Sequence, residues 1–136
     1  MIRTFLDTGV LLSAWRSSLP LRAAASTIMF AADREFVSSF YVRLELMPKA
    51  IYHKQRAEVA FYQKYFDRLV GWVESSPALA VFADEIAATY GLNGMDALHL
   101  AAAIETDCVE FVTSERPTSP IFRVDRLRIL SIKPSQ

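Results

Sequence analysis

The segment IRTFLDTGVLLSAWR, residues 2–16, decides how the rest of the chain is read. Ile2 to Leu6 have the length of a short buried strand. Asp7 and Thr8 follow, Gly9 eases a turn, and Val10 to Arg16 are suited to a helix. A strand that passes through an acidic turn straight into a helix predicts an α/β arrangement.

Working outward, Pro20 is placed to start a second helix, which continues through an alanine-rich stretch to about Ala32. Glu35 to Ser38 predict a second strand with Val37 inward, and Ser38 or Ser39 can cap the next helix, which carries Tyr41, Leu44, Glu45 and Leu46. Pro48 lacks a backbone donor and is expected to kink or interrupt that helix. From Lys54 to Glu74, Ala57, Phe61, Tyr65, Leu69 and Trp72 recur at spacings that predict one long amphipathic helix. Leu79 to Phe82 are expected as a third strand and Ala83 to Tyr90 as a helix. Gly91, Asn93 and Gly94 then connect to a helix starting near Met95 or Asp96. Glu110 to Thr113 predict a fourth strand, Glu115 to Ser119 a proline-containing loop, and Arg128 to Ile132 a closing edge strand. Alternating strands and helices favour a mostly parallel sheet covered on both faces, a three-layer α/β/α architecture. With no internal repeat or linker, residues 1–136 read as a single domain with its core over about 2–132.

Bulk properties narrow the function classes. A chain of 136 residues that is 52% hydrophobic can bury a core without disulfides or a structural metal. The lone Cys108 allows neither an internal disulfide nor a cysteine-cluster metal site, which suits a reducing, cytoplasmic compartment. Asp7 breaks the apolar N-terminal stretch and no small-residue cleavage pattern follows, so no signal peptide is expected. No stretch approaches the roughly 18 apolar residues of a membrane helix. Fifteen Lys and Arg balance fifteen Asp and Glu, which argues against tight nonspecific nucleic-acid binding but not against a local active site. Arg43, Lys49, His53, Lys54 and Arg56 fall close together, as a local basic rim or an ordinary solvated face.

Ligands of an open parallel sheet gather beyond the carboxyl ends of its strands. Asp7 follows the first strand there, and Glu115 follows Thr113 and Ser114 after the fourth. Asp96 opens a helix, and Glu45 interrupts an otherwise apolar one, so all four carboxylates can converge on one sheet edge. Gathered in a partly dry pocket they would repel one another, and Mg²⁺ or Mn²⁺ would relieve that cost through oxygen ligands. Such an ion can polarise a phosphate and activate water for in-line attack, with no serine, cysteine or histidine nucleophile. Taken singly, each carboxylate also suits a plain structural role: Asp7 and Asp96 at helix starts, Glu45 on a solvent face, Glu115 in a loop.

The segments FLDTGVLLSAW, SSFYVRLELM, GLNGMDALHLAAAIE and FVTSE together resemble the ordered motifs of the PIN-domain ribonuclease family, most closely its VapC-like toxin branch. The likeness runs from about Ile2 to Ile132 and implies a PIN-like fold. It matches Asp7 and Thr8 to the first-strand motif, Glu45 to the helical glutamate, and Asp96 with Ala97 to the later aspartate. It implies divalent-metal-dependent RNA cleavage, with Asp7, Glu45, Asp96 and Glu115 as both catalytic and metal-holding residues. The fourth motif departs from the family: VTSERPTSP places Glu115 where an aspartate is common, and Arg116 and Pro117 follow with no second carboxylate nearby.

Thr8, Thr113, Ser114 and Arg16 are the candidate substrate-binding or supporting residues, Arg16 as a contact at the rim. Arg43 stands two residues before Glu45 and is expected to point away from it. Asn93 is expected to form the turn, His99 to be structural, His53 to be exposed and Trp15 to pack in the core. The aromatic density of Tyr52, Phe61, Tyr62, Tyr65, Phe66 and Trp72 exceeds one interior stripe, which predicts a homodimer face or partner groove around residues 41–72. The resemblance implies both dimerisation and inhibition by a small antitoxin protein. The leading reading is a metal-dependent endoribonuclease toxin. The competing readings are a structure-selective DNA nuclease and a catalytically weak RNA- or protein-binding module.

Overall fold

A computed structural model describes residues 1–134; the last two residues of the domain expected over 1–136 lie outside the described residues. Strand β1 (Ile2–Leu6) leads into α1 (Thr8–Arg16), and α2 (Leu19–Met29) precedes β2 (Arg34–Ser39). Helices α3 (Phe40–Tyr52) and α4 (Arg56–Asp67) lead to β3 (Gly71–Val73), followed by α5 (Pro77–Tyr90) and α6 (Gly94–Glu105). Strand β4 (Glu110–Thr113), a 3₁₀ turn at Pro120–Arg123 and β5 (Arg128–Ser131) complete the order. All four strand pairings are parallel, in the order β3-β2-β1-β4-β5. The short sheet lies between helices in the expected three-layer arrangement.

The central strands are the most buried because helices cover the sheet. Phe5, Leu6, Val37, Phe111 and Val112 are fully buried, and the Phe5 and Phe111 rings stack across β1 and β4 with centroids 5.6 Å apart. The register pairs Leu6 with Val112, and the backbone N–H of Asp7 donates to the Val112 carbonyl at 2.9 Å. That pairing sets the carboxyl ends of β1 and β4 side by side, which positions the acidic residues that follow them.

Three sequence expectations are corrected. The helix expected over Lys54–Glu74 ends at Asp67, and Trp72 belongs to β3. The backbone N–H of Val70 donates to Phe36 at 2.9 Å, and Gly71 to Val73 pair with Val37 to Ser39, so sheet pairing takes the chain out of the helical pattern. Gly71 suits that approach, since a β-carbon there would lie 3.1 Å from the Val37 Cγ2. The third strand expected at Leu79–Phe82 is instead part of α5. Ser76 accepts from the Leu79 N–H at 3.1 Å and Pro77 occupies the first turn, while Leu79, Ala83 and Ile86 are buried at helical spacing. Pro48 does not interrupt α3, which continues through it to Tyr52.

Helix α5 stops at Gly91, whose φ of 68° is the left-handed conformation that glycine adopts without penalty. A β-carbon there would also approach the Arg123 Nη1 to 2.9 Å, beside that group's 3.0 Å bond to the Tyr90 carbonyl. Gly91→Ala is expected to cost about 1–2 kcal/mol, read as a lower midpoint in urea unfolding at unchanged slope.

Candidate metal-dependent active site

Each acidic residue reaches the site through a local device. Asp7 terminates β1 and caps α1: its Oδ1 accepts from the Val10 N–H at 3.2 Å. Its Oδ2 accepts from the Thr113 hydroxyl at 2.6 Å, a bond that the β1–β4 register makes possible. Asp96 lies in the first turn of α6, where Asn93 caps the helix by accepting from the Asp96 N–H at 2.9 Å. The Asn93 amide donates in turn to the Asp96 Oδ2 at 3.0 Å. Glu45 projects from α3; its Oε1 accepts from the Thr8 hydroxyl at 2.6 Å and stands 2.7 Å from the His99 Nε2. Glu115 follows β4, where its N–H donates to the Thr113 Oγ1 at 3.0 Å and its Oε2 accepts from Ser119 at 3.2 Å.

Asp7, Glu45, Asp96 and Glu115 line one cavity of about 230 Å³, together with Thr8, Gly9, Leu12, Met95, His99 and Ser114. The four carboxylates expected at one sheet edge therefore share it. A β-carbon on Gly9 would lie 1.9 Å from the Ser114 Oγ, so glycine is what allows Ser114 to close over the start of α1. Of the supporting residues, Thr8 holds Glu45, Thr113 holds Asp7, and Ser114 lines the wall. Arg16 does something else. It donates twice to Glu58, at 2.9 and 3.0 Å, with the Tyr62 hydroxyl on the same carboxylate at 2.6 Å, and so ties α1 to α4. It does not line the cavity.

Electrostatics mark the cavity as unfavourable for several bare carboxylates. Burial pushes the Asp7 carboxyl up to about 6, against the lowering effect of its Thr113 bond. Burial also raises Asp96, and the charges of Glu115 and Glu45 push it further in the same direction. Glu45 is lowered, first by its bond to His99 and then by Thr8, against partial burial. The four carboxylates that line the cavity are the oxygen donors a hard divalent cation prefers. Among the described residues, however, no three acidic, imidazole or thiol groups converge closely enough to hold a cation in this side-chain arrangement.

His99 is the member of the site that sequence reading set aside. It is buried, lies three residues after Asp96 on the same face of α6, and touches Glu45. That spacing from a matched aspartate was the one available signal. His53, by contrast, is exposed as expected. Trp15 packs only partly, with 37% of its surface exposed and its ring against Phe61.

The PIN-domain family model matches residues 4–117. The chain belongs to the PIN-domain family. The PIN match runs from within β1 to the loop beyond β4 and includes all four carboxylates. No curated protein matches the sequence. Among solved structures, this PIN domain is similar to a toxin–antitoxin complex from Klebsiella pneumoniae, with a TM-score of 0.71, 18% identity, and 96% of this chain and 98% of that chain covered. It is similar to VapBC2 from Rickettsia felis bound to a promoter DNA fragment, with a TM-score of 0.68, 15% identity, and coverage of 95% and 98%. DNA-bound VapBC from Salmonella typhimurium gives a TM-score of 0.63 at 17% identity, with coverage of 98% and 100%. At these identities the likeness establishes the shared fold. Among the described residues, no helix is long and apolar enough to cross a membrane.

Proposed function

We propose that this PIN domain is an endoribonuclease that hydrolyses RNA phosphodiester bonds with Mg²⁺ or Mn²⁺, and that it acts as the toxin of a toxin–antitoxin pair. The observation that carries the reading is that Asp7, Glu45, Asp96 and Glu115 line one cavity at the carboxyl ends of β1 and β4. These four residues would hold the ion, which supplies Lewis-acid polarisation of a phosphate and lowers the pKa of water. Asp7 is kept in place by the Thr113 hydroxyl and the start of α1, and Asp96 by Asn93. Glu45 is tied by Thr8 and His99. Ser114 offers its hydroxyl to a phosphate oxygen at the cavity wall.

The toxin assignment rests on the toxin–antitoxin complexes among the similar structures and on surface chemistry. An apolar groove of about 470 Å³ between α3 and α4 includes Ala50, Ile51, Val59 and Ala60, with Lys54 and Arg56 on its walls. Leu44, Ile51 and Tyr52 are exposed on α3, whereas Tyr62 and Tyr65 belong to the core. Such a surface suits a small antitoxin protein or a second copy of the chain.

The test is cleavage of a mixed RNA pool by partner-free protein in Mg²⁺ or Mn²⁺. Cleavage that EDTA abolishes and added Mn²⁺ restores is the expected result. Folded protein that cuts no RNA with either ion, at high enzyme concentration, would overturn the nuclease reading. A catalytically weak binding module would then take its place, a reading favoured by Arg116 at the substituted fourth motif and by the lack of three converged donors.

A further inference from the structure

The Glu45 side chain is long and flexible, and it projects from a helix whose neighbouring Leu44 is exposed. Left untied, it would sample many rotamers and meet a ligand only at an entropic cost. Two donors act on it instead, and both act on the same oxygen. The Thr8 hydroxyl donates to Oε1 at 2.6 Å, and the His99 Nε2 lies 2.7 Å from Oε1. Among the described residues, Oε2 accepts from no protein donor.

The histidine is fixed from behind. It is 3% exposed, and the Phe5 ring stands 6.1 Å from it between centroids. Its Nδ1 is buried without a hydrogen-bond partner. A carboxylate has only acceptors, so the nitrogen facing Glu45 carries the proton.

We infer that His99 is a positioning residue for Glu45: its Nε2–H, with the Thr8 hydroxyl, holds one carboxylate oxygen so that the other is left free for a cation in the cavity. This rests on the proposed reading of Glu45 as a metal ligand. Orienting partners of this kind change metal affinity by about 10–100-fold when removed.

The experiment is Mn²⁺ binding, followed by the electron paramagnetic resonance of the free ion, to wild type, Glu45→Gln, His99→Leu and His99→Gln. Circular dichroism melts establish that each variant is folded. Glutamine places an amide N–H where the Nε2–H stood, whereas leucine fills the volume with no donor. Weakening of about tenfold or more is expected in His99→Leu and Glu45→Gln, with His99→Gln restored to within about threefold of wild type. Wild-type affinity in folded His99→Leu beside weakened Glu45→Gln would overturn the inference alone. Equal weakening in the leucine and glutamine variants would also overturn it, as a packing effect. Unchanged affinity in Glu45→Gln would overturn the reading of Glu45 as a ligand and the inference with it. A second measurement needs no variant: long-range ¹H–¹⁵N spectra of the His99 ring are expected to show a proton on Nε2. A proton on Nδ1 alone would overturn the inference.

Discussion

Asp7→Asn is expected to abolish RNA cleavage, by on the order of 10³-fold or more, while making the metal-free protein more stable. The two effects have one cause. Asp7 is 6% exposed, and burial pushes its carboxyl up to about 6 from an ordinary 3.8. The folded state therefore holds the proton more tightly than the unfolded chain does. Stability is highest below the unfolded value and falls as pH rises through the folded one, by roughly 2–3 kcal/mol at neutral pH. Asparagine carries no charge to desolvate. It keeps an oxygen for the Val10 N–H, and the Thr113 hydroxyl can rotate to accept from the new amide. Melting in EDTA at about pH 4.5 and about pH 7.5 checks the account. The gap between variant and wild type should open with pH; the same gap at both values would mean that the charge is not the cause. Asp96→Asn is expected to lose cleavage as well. Activity surviving in both variants would remove the acidic cavity from the mechanism.

The second large effect lies at the opposite end of the sheet. Glu110 opens β4, is 2% exposed, and accepts from the Arg34 guanidinium at 2.7 and 3.2 Å and from the Thr4 hydroxyl at 2.9 Å. Burial alone would raise its carboxyl, but the bonds from Arg34 and Thr4 together hold it below its ordinary 4.5. Arg34→Met strands that carboxylate in the interior and is expected to cost about 3–5 kcal/mol. The loss should exceed that of the double variant Arg34→Met, Glu110→Leu, because the second change removes the orphaned charge. In the wild type this contribution is present above the unfolded carboxylate range and fades as pH falls through the folded value. Guanidinium unfolding of the three proteins decides it. A double variant no more stable than Arg34→Met would show that packing, not charge, sets the cost. The pair stands away from the cavity, so per folded molecule the single variant should cleave RNA as the wild type does.

Much of the site was legible because its signals are local. Asp7 announces itself by ending an apolar run and opening a helix, Asp96 by standing in the first turn beyond a glycine-containing connection. Glu45 interrupts apolar neighbours, and Glu115 follows the strand-ending Thr113. Each such signal is carried by contacts within a turn of helix or a step of strand. Arg16 had no comparable signal, and His99 had only its spacing of three residues from Asp96. The partner of Arg16 is Glu58, one helix removed from the site, and that of His99 is Glu45, on a helix far away in sequence. A rim arginine was the local reading of Arg16, and its distant partner Glu58 places it away from the cavity.

The strands divide in the same way. By itself the amino-acid sequence determined an α/β chain with four of its five strands near their observed places, because alternation and capping residues are written into neighbouring positions. It misplaced β3. Gly71 to Val73 are too few to show a period, and Trp72 continues the helical spacing set by Phe61 and Tyr65. Leu79 to Phe82, conversely, have the apolar run of a strand and lie in α5 behind the Ser76 cap. Only the tertiary structure could choose, because an isolated three-residue strand gains its hydrogen bonds entirely from β2, and that partner exists only once the sheet has formed.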